Sequence, residues 1–266
     1  SENHLNWIED PSNQDRQFSR NYLRHQVFPA LTARFPQAMA TMARSAAHLS
    51  EAQALLDDLA QIDLSQASTP SDFDWLGLPS LELAGLEKLS VARQRNALSH
   101  WLEPLTRLPD SDHWSGWDSL RDAAVDARPI WRLADGELHR AGGRLWWLSG
   151  GWLDPVLAAG EWPDPAQPRA LPGNGVLTLT GQIPDGPLQI RYREGGEIME
   201  LPPRGHRDLK RLLNERGVPQ FVRGRLPLLF KGGQLLAVPN LQGLESGAAG
   251  NWNLHWQPPN EDQGLS

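Results

Sequence analysis

The sequence contains no cysteine, and this absence excludes several classes of site. Without thiolates the chain cannot form disulfides, cysteine-ligated zinc sites, iron–sulfur clusters or a cysteine nucleophile. Because such a composition is typical of a reducing compartment, we expect a cytoplasmic protein. Lysine is scarce, since only three of the 25 Lys and Arg residues are lysines. No apolar run approaches the ~20 residues that cross a bilayer, so we expect no membrane partner.

The sequence also lacks the motifs of common catalytic sites. Its eight histidines are all more than five residues apart, which excludes the H-E-x-x-H spacing, and we predict no metal site. No G-x-S-x-G elbow, G-x-x-x-x-G-K-[ST] loop or G-x-G-x-x-G fingerprint occurs. Residues 149–154 partly resemble a phosphate-binding S-G-G-x-D-S loop, but Asp154 is one residue late and Pro155 replaces the serine. We interpret this segment as an ordinary glycine turn after a strand.

Length, composition and charge indicate a folded protein with a polyanion partner. The 266 residues are 39% hydrophobic, which is enough for more than one packed domain. The net charge of −7 is uneven: residues 190–231 hold ten cations and five carboxylates, and residues 16–50 hold five arginines and no carboxylate. Two basic islands in an acidic chain indicate local contacts with a polyanion, with a solvated helix face as the alternative for each. Because the chain starts at Ser1 rather than methionine, we expect a processed chain or an excised fragment.

Apolar residues at helical spacing predict a helical first half. A helix is expected from Phe18, kinked or divided at Pro29, and a longer helix is expected after Pro36. The apolar stripes are interpreted as core, and they comprise Leu23, Val27 and Leu31 in the first helix and Met39, Met42, Ala46, Leu49, Leu56 and Leu59 in the second.

Shorter elements are expected in the rest of the chain. Ser90 is predicted to cap a helix that ends at Leu102. The other predicted elements are a helix over 114–126, strands over 130–133, 137–140, 144–148, 176–180, 188–193 and 252–256, and a hairpin of 226–230 with 234–238. A linker is expected at 64–80, and a domain boundary is expected within 154–175, where Pro, Gly and Asp are frequent.

These elements together predict a multidomain α+β fold. An N-terminal and central helical region with short strands is expected to precede a small α+β C-terminal domain with a mixed or antiparallel sheet. The expected domains are residues 1–66, 67–160 and 170–258. Twelve tryptophans, eight of them between Trp101 and Trp162, are interpreted as core residues, with base-stacking platforms as the alternative.

The stretch 204–227 carries the strongest functional signal. A helix predicted over 206–216 places cations and a polar residue on one face and leucines on the other. The first face comprises Arg207, Lys210, Arg211 and Asn214, and the second comprises Leu209, Leu212 and Leu213. Gly217 is expected just after the helix end, and Pro219 prevents its continuation.

Four further basic residues extend this predicted ridge. Arg204 and His206 are expected at the helix start, where free N–H groups favour an anion. Arg223 and Arg225 are expected to lengthen the ridge beyond the helix. Such a surface suits a nucleic-acid backbone without base specificity, and a solvated amphipathic helix is the alternative.

At these residues the sequence resembles the C-terminal region of the tRNA(Ile)-lysidine synthetases. The matching residues are Arg193-x-Gly-Gly-Glu197, Lys210-Arg211-Leu212-Leu213, Gly217-Val218-Pro219, Arg223, Leu226-Pro227-Leu228-Leu229 and 235–238. A second block, residues 7–13 with 20–24 and Pro29-x-Leu31, is similar to the segment that closes the catalytic domain of that family. The middle, residues 89–148, is a weaker match. The three regions together extend the resemblance over nearly the whole chain.

The resemblance implies that the parent protein is a C–N bond-forming ligase that modifies tRNA. These enzymes use ATP, with Mg, to adenylate C2 of the wobble cytidine of an isoleucine tRNA, and lysine then displaces AMP. The S-G-G-x-D-S loop that holds ATP in the family is absent from this sequence. The resemblance therefore implies a fragment that begins at the end of the catalytic domain, within residues 1–66, and keeps both tRNA-binding C-terminal domains. We expect no ligase activity from this chain alone.

The resemblance also assigns residues and a partner. Asn13, Arg20, Asn21 and Arg24 match the block near the active site, where they contact lysine, ATP or tRNA, or form a helix-capping network. The implied tRNA-binding residues are Arg193, Arg204, Arg207, Lys210, Arg211, Arg223 and Arg225. The implied partner is tRNA(Ile), and self-association stays open. The alternatives are a stand-alone RNA- or DNA-binding module and a protein-interaction domain.

Overall fold

The structure, a computed structural model, describes residues 17–124, 127–201, 205–244 and 251–259. The chain divides into two compact units, with the boundary between Leu59 and Ala60. None of the helices in the described ranges combines the length and the apolar character that a bilayer crossing requires. Each unit is described separately below.

The first unit is built from helices. Helix α1 (Ser19–Tyr22), a π-helical turn (Leu23–Val27) and helix α2 (Phe28–Arg34) follow one another without a break. The Phe28 N–H bonds to the Leu23 carbonyl, five residues earlier, directly before Pro29, which has no N–H to donate. The predicted disturbance at Pro29 therefore takes the form of a widened turn. Helix α3 (Ala38–Ala67) begins two residues after Pro36, as predicted.

The apolar stripes of these helices are exposed, so the prediction that they form core is wrong within this unit. No residue between 17 and 59 is buried. The exposed side chains include Leu23, Val27, Met39, Met42, Leu49 and Leu56. Helical periodicity predicts which face is apolar, but it does not predict whether another layer covers that face.

The last turns of α3 belong to the second unit and start its first core. Asp63 is fully buried and accepts a hydrogen bond from Arg93 Nε at 3.1 Å, and a second one from Arg93 Nη2. Ala67 is also fully buried and packs against Gly85. Because these contacts hold the helix, α3 continues to Ala67 and the linker predicted at 64–80 is shorter than expected.

The central lobe, residues 60–149, places helices against a four-stranded antiparallel sheet. Its helices are α4 (Leu83–Glu87), α5 (Val91–Leu102) and α6 (Ser115–Arg121), and its strands are β1 (Ser80–Glu82), β2 (Ile130–Arg132), β3 (Gly136–Ala141) and β4 (Arg144–Ser149), in the order β1-β4-β3-β2. The Ser90 side chain accepts the Arg93 N–H at 3.5 Å, so the predicted cap of α5 is confirmed. Helix α6 is shorter than the predicted 114–126, of which residues 125 and 126 lie outside the described ranges.

The C-terminal lobe, residues 150–259, contains two sheets and two short helices. Its strands are β5 (Gly160–Trp162), β6 (Arg169–Ala170), β7 (Val176–Gly181), β8 (Leu188–Arg191), β9 (Ile198–Leu201), β10 (Gly205–Asp208), β11 (Leu228–Lys231), β12 (Gln234–Ala237) and β13 (Trp252–Gln257), and its helices are α7 (Leu209–Glu215) and α8 (Gln220–Arg223). The sheet orders are β10-β9-β12-β11-β8-β5 and β13-β7-β6. Strands β9 and β12 are parallel, and the other pairs are antiparallel.

The predicted α+β class with a mixed C-terminal sheet is confirmed. The strands expected from alternation and the hairpin of β11 and β12 are present, with bounds within a few residues of those predicted. The segment 154–175 is more ordered than expected of a domain boundary, because it contributes β5 and β6 to the two sheets. The division into domains 1–66, 67–160 and 170–258 stays a prediction.

Tryptophans fill both cores of the second unit. Trp117 and Trp147 are fully buried in the central lobe, and Trp152, Trp162 and Trp256 are buried in the C-terminal lobe. None of the tryptophans within the described ranges is exposed. This burial favours the core interpretation over base-stacking platforms.

A buried arginine holds the segment that connects the two lobes. Arg225 is 9% exposed, and its guanidinium lies 5.5 Å from the Trp152 ring centroid. Its nitrogens donate to five oxygens, which are the carbonyls of Gly151 (2.6 Å), Asp154 (2.8 Å), Gly173 (2.8 Å) and Trp152 (3.0 Å) and the Asn174 Oδ1 (3.3 Å). Burial is the main influence on the pKa of Arg225 and lowers it.

The hydrogen bonds of Arg225 also show that the glycine turn at 149–154 is not arranged as a phosphate-binding loop. A phosphate-binding loop directs backbone N–H groups at its ligand. Here the carbonyl oxygens of Gly151, Trp152 and Asp154 converge on a cation instead. The interpretation of this segment as an ordinary turn is confirmed.

Gly85→Ala should disturb the packing of α3 against α4. An added Cβ would lie 2.8 Å from the Gln66 carbonyl oxygen and 2.9 Å from Ala67 Cα, which are backbone atoms that cannot rotate away. We expect the free energy of unfolding to fall by about 1–3 kcal/mol. Gly224→Ala is the control, because its φ is −76° and no heavy atom of the described residues lies within 4 Å of the new Cβ. Equal urea midpoints for the two variants would contradict this packing.

Arg225→Ala should destabilise the second unit through the carbonyl oxygens that it leaves unpaired. Because an unsatisfied buried acceptor costs about 1–3 kcal/mol, we expect the free energy of unfolding to fall by at least about 2 kcal/mol. Arg107→Ala removes an exposed arginine and should change it by less than about 0.5 kcal/mol. Chemical denaturation followed by tryptophan fluorescence measures both free-energy changes. We call Arg225 and the oxygens that accept its hydrogen bonds the clamp, and an unchanged midpoint for Arg225→Ala would contradict its stabilising role.

Candidate nucleic-acid interface

Helix α7 turns its cations outward because its leucines are buried. Leu209, Leu212 and Leu213 belong to the core of the C-terminal lobe, whereas Lys210 and Arg211 are exposed. The predicted apolar backing of the cationic face is therefore confirmed.

The helix also ends where the sequence predicts. Gly217 has a φ of +65°, a conformation that glycine adopts without strain. The Val218 N–H then bonds to the Leu213 carbonyl at 3.0 Å, which is the six-to-one bond of a Schellman motif. This ending fixes the direction in which the chain enters α8.

The start of the helix differs from the prediction. His206 and Arg207 lie on strand β10, opposite Glu200 and Met199 of β9, and are not helical. The Asp208 side chain caps α7 and accepts the Arg211 N–H at 3.0 Å. The prediction of an anion-binding helix tip is wrong, because the protein's own carboxylate occupies that position. Arg204 lies outside the described residues.

Lys210 and Asn214 line a cleft of about 620 Å³ within the second unit. We name it the cationic cleft and define it by Arg128, His139, Lys210, Asn214, Phe221 and Arg223. Residues of α7 and α8 form one wall, and residues of β2, β3 and the chain before β2 form the other. No Asp or Glu is found among the described residues that line it.

Arg223 is the recessed cation of this cleft. It is 8% exposed, donates from Nε to the Val218 carbonyl at 2.8 Å, and donates from Nη1 to Asn214 Oδ1. Burial lowers the pKa of Arg223, and the positive charges of Arg193 and Arg128 lower it further. Because like charges surround it, an anion that entered the cleft would stabilise the charged guanidinium.

Two other cations of the cleft, Arg128 and Lys210, are exposed, whereas Arg140 donates hydrogen bonds to the end of α6. Arg128 and Lys210 are exposed and form no ion pair within the part of the chain that the structure describes. Arg140 also lines the cleft, but its Nη1 donates to the carbonyls of Leu120, Arg121 and Ala123 at the end of α6. The cations that a ligand can reach are therefore Arg128, Lys210 and Arg223.

Two arginines of the predicted set are paired with carboxylates. Arg193 Nε lies 3.4 Å from Glu197 Oε2, and Arg211 Nε lies 2.9 Å from Glu215 Oε1. Glu197 also accepts the backbone N–H groups of Glu194 and Gly195 at 2.6 and 2.7 Å, so it closes this loop. These pairs reduce the net positive charge that Arg193 and Arg211 offer to a polyanion.

The other predicted residues are dispersed. The expectation that Arg223 and Arg225 lengthen an exposed ridge is wrong, because both are buried, Arg223 in the cleft and Arg225 in the clamp described above. Arg207 is exposed on β10. In the first unit, Arg20 and Asn21 lie on α1 and Arg24 lies in the π-helical turn, with both arginines exposed. Asn13 lies outside the described residues.

Three residues of the cleft were missed at the sequence level. Arg128 lies outside both basic islands, and no local motif marks it. Phe221 is half-buried, and its ring meets the His139 ring at a centroid distance of 5.5 Å in an edge-on arrangement. This contact joins residues 82 positions apart, which a sequence pattern does not report.

A second cleft, of about 680 Å³, fits an anion less well. Its lining includes Glu82, Glu87 and Asp72 besides Arg144 and Arg216. The Arg144 guanidinium is already bonded to the hydroxyls of Thr69 and Ser80. Within the described residues, no cluster of three or more His, Asp or Glu side chains is arranged to hold a metal ion.

Three family models match separate parts of this chain. They are described as the TilS substrate C-terminal domain (residues 188–256), the TilS substrate binding domain (residues 81–146) and the PP-loop domain (residues 1–31). A crystal structure of a TilS C-terminal domain is similar over 38% of this chain and 96% of its own, with 26% identity and a TM-score of 0.30.

The chain is also similar to curated tRNA(Ile)-lysidine synthases. The Pseudomonas fluorescens protein is 71% identical over 98% of this chain and 59% of its own length. The Pseudomonas aeruginosa protein is 59% identical over 98% of this chain and 60% of its own length, and that of Escherichia coli O157:H7 is 33% identical over 88% and 54%. The chain therefore spans less than two thirds of these relatives. These matches, which cover the first residues, the central lobe and the C-terminal lobe, show that the chain belongs to the tRNA(Ile)-lysidine synthase (TilS) family.

Proposed function

We propose that this chain is the tRNA-recognising part of a tRNA(Ile)-lysidine synthase. The observation that carries the proposal is the cationic cleft, in which Arg128, Lys210 and Arg223 converge and no described lining residue is acidic. Double-stranded RNA is recognised mainly through its shape and its phosphates, and arginine and lysine in a cleft whose described lining has no carboxylate suit that task. The names of the relatives supply the class of RNA.

The proposed activity of the whole protein is the one that the family name describes. ATP, with Mg, activates C2 of the wobble cytidine of an isoleucine tRNA, and lysine displaces AMP. The turn at 149–154, which partly resembles the family's loop, does not fit an ATP site, because it directs its carbonyl oxygens at Arg225. We therefore assign recognition of the tRNA, and not the chemical step, to this chain. We propose a cytoplasmic location, because the proposed substrate is a tRNA.

We assign two groups of residues within this proposal. We assign Arg193, Arg204, Arg207, Lys210 and Arg211 to tRNA binding, together with Arg128 and Arg223 in the cleft. Of the first five, Arg204 lies outside the described residues. Asn13, Arg20, Asn21 and Arg24 lie in the stretch that matches the PP-loop domain, and we propose that they contact lysine, ATP or tRNA near the active site. Arg225 supports this surface from the core and does not contact RNA.

Replacing Arg128 and Lys210 together by alanine should weaken binding of an isoleucine tRNA by about 10–100-fold at low salt, because two phosphate contacts are lost. The slope of log K against log salt should become shallower by about two, since each contact contributes about one. Filter binding across a KCl series measures both quantities. Both side chains are exposed, so circular dichroism should show an unchanged fold.

Arg107→Ala is the control for this experiment, and it matches each single replacement, Arg128→Ala or Lys210→Ala, in the one positive charge that it removes. Arg107 is exposed, lies outside the cleft, and should leave both the affinity and the slope as in the unmodified chain. A flat salt dependence of the unmodified chain would contradict the proposal and favour a protein-interaction domain. Equal losses for Arg107→Ala and for either single variant, Arg128→Ala or Lys210→Ala, would show that net charge, and not the cleft, determines binding.

A further inference from the structure

We propose that the cationic cleft receives the 5′-terminal phosphate of the tRNA, a phosphomonoester at a strand end rather than the diester backbone of a stem. The inference deepens the proposed function and rests on it. Four features of the cleft support it: the recessed position of Arg223, the sign and number of its charges, the donor set of its floor, and an aromatic wall.

The depth of Arg223 selects a protruding phosphate. Stem phosphates lie on the convex outside of a duplex, where exposed side chains of a protein reach them. Arg223 is 8% exposed and lies on the floor of the cleft. A group at the end of a strand can project into the cleft. The volume of the cleft, about 620 Å³, lies within the range of about 300–1,000 Å³ that is typical of small-molecule sites.

The charge of the cleft favours a dianion. Three cations that a ligand can reach line it, and none of the described lining residues is a carboxylate. A phosphomonoester carries a charge of about −1.5 to −2 at pH 7, whereas each backbone diester carries a single negative charge. The terminal group therefore neutralises more of the repulsion between Arg128 and Arg223 in the cleft than a backbone phosphate does.

The floor of the cleft is already organised as a donor site. The Asn214 amide oxygen accepts from Arg223, and this bond directs the amide nitrogen of Asn214 to act as a further donor. The bond from Arg223 Nε to the Val218 carbonyl at 2.8 Å holds the guanidinium in one orientation. A fixed guanidinium fork with an adjacent amide matches the several acceptor oxygens of one terminal phosphate.

An aromatic wall stands beside these cations. The half-buried Phe221 ring and the His139 ring line the same cleft. Aromatic faces stack on bases without sequence preference, so a terminal nucleotide can lie against this wall while its phosphate reaches Arg223. An internal base pair of a stem has no free face to offer there.

The test compares two forms of one RNA. An isoleucine tRNA transcript with a 5′-monophosphate and the same transcript after phosphatase treatment are titrated into the 266-residue chain. We expect the phosphorylated form to bind about tenfold more tightly, since hydrogen bonds to charged groups are strong enough for such a ratio. Lys210→Ala and Arg128→Ala should each reduce this ratio to about threefold or less. Arg107→Ala should keep it.

The outcomes separate this inference from the proposed function. Salt-sensitive tRNA binding with equal affinity for both forms would overturn the inference and leave the proposed function intact. No binding of either form would overturn both. A tenfold ratio that survives both cleft variants would place the 5′ phosphate elsewhere on the protein and would also overturn the inference.

Discussion

The arrangement of the second unit depends on one buried guanidinium. Arg225 collects oxygens from residues 151–154 and from residues 173–174, two stretches of irregular chain that would otherwise leave carbonyl groups unsatisfied inside the protein. Each of these oxygens accepts a hydrogen bond from the guanidinium, so the hydrogen-bonding groups of the cation and of the carbonyls are satisfied together. Arginine suits this task because its five N–H donors spread in a fixed plane and its charge persists when it is buried.

The clamp matters for function because α8 lies close to it. Phe221, on α8, packs edge-on against Trp152 and His139 and in a tilted arrangement against Trp146, with centroid distances of 6.1, 5.5 and 5.9 Å. Trp152 itself stacks on Arg225. The contacts therefore continue from the clamp through Trp152 to α8, which carries Arg223 into the cationic cleft. The cleft is shaped by the packing of two lobes, and neither lobe contains all of it.

The sequence was informative wherever a signal is local. Ser90, Gly217 and the glycine pair of the β11–β12 hairpin each act within a few residues, and the structure places them as predicted. Alternating residues marked most strands for the same reason. Strand β10 was missed, because Asp208 begins the helix three residues later than the charge pattern suggests and residues 205–208 pair with β9 instead.

Signals that depend on distant partners were weaker. The amphipathic pattern of α7 predicted its exposed cations, and the i,i+4 spacing of Arg211 and Glu215 is a local sign of their ion pair. No local pattern shows that Lys210 lines the cleft, because the opposite wall comes from a distant part of the chain. Arg223 and Arg225 looked like exposed cations of a basic island, because the sequence does not show that carbonyl groups 51 to 74 residues away would surround Arg225. The prediction that the apolar stripe of α3 forms core was wrong for a related reason. Burial requires a second layer of structure over that face, and the stripe alone does not show one.

The position of β5 means that the stretch that matches the TilS substrate C-terminal domain lacks two of its own supports. Residues 188–256 contain Arg225 and β8, yet the strand that covers the edge of β8 lies at 160–162, and the described oxygens that accept hydrogen bonds from the guanidinium lie before residue 175. A fragment that begins at residue 188 would leave the charge of Arg225 unpaired in an apolar interior. It would also expose the edge of β8 to other chains. The structural unit that satisfies Arg225 and covers β8 therefore begins before the family match, at Gly151.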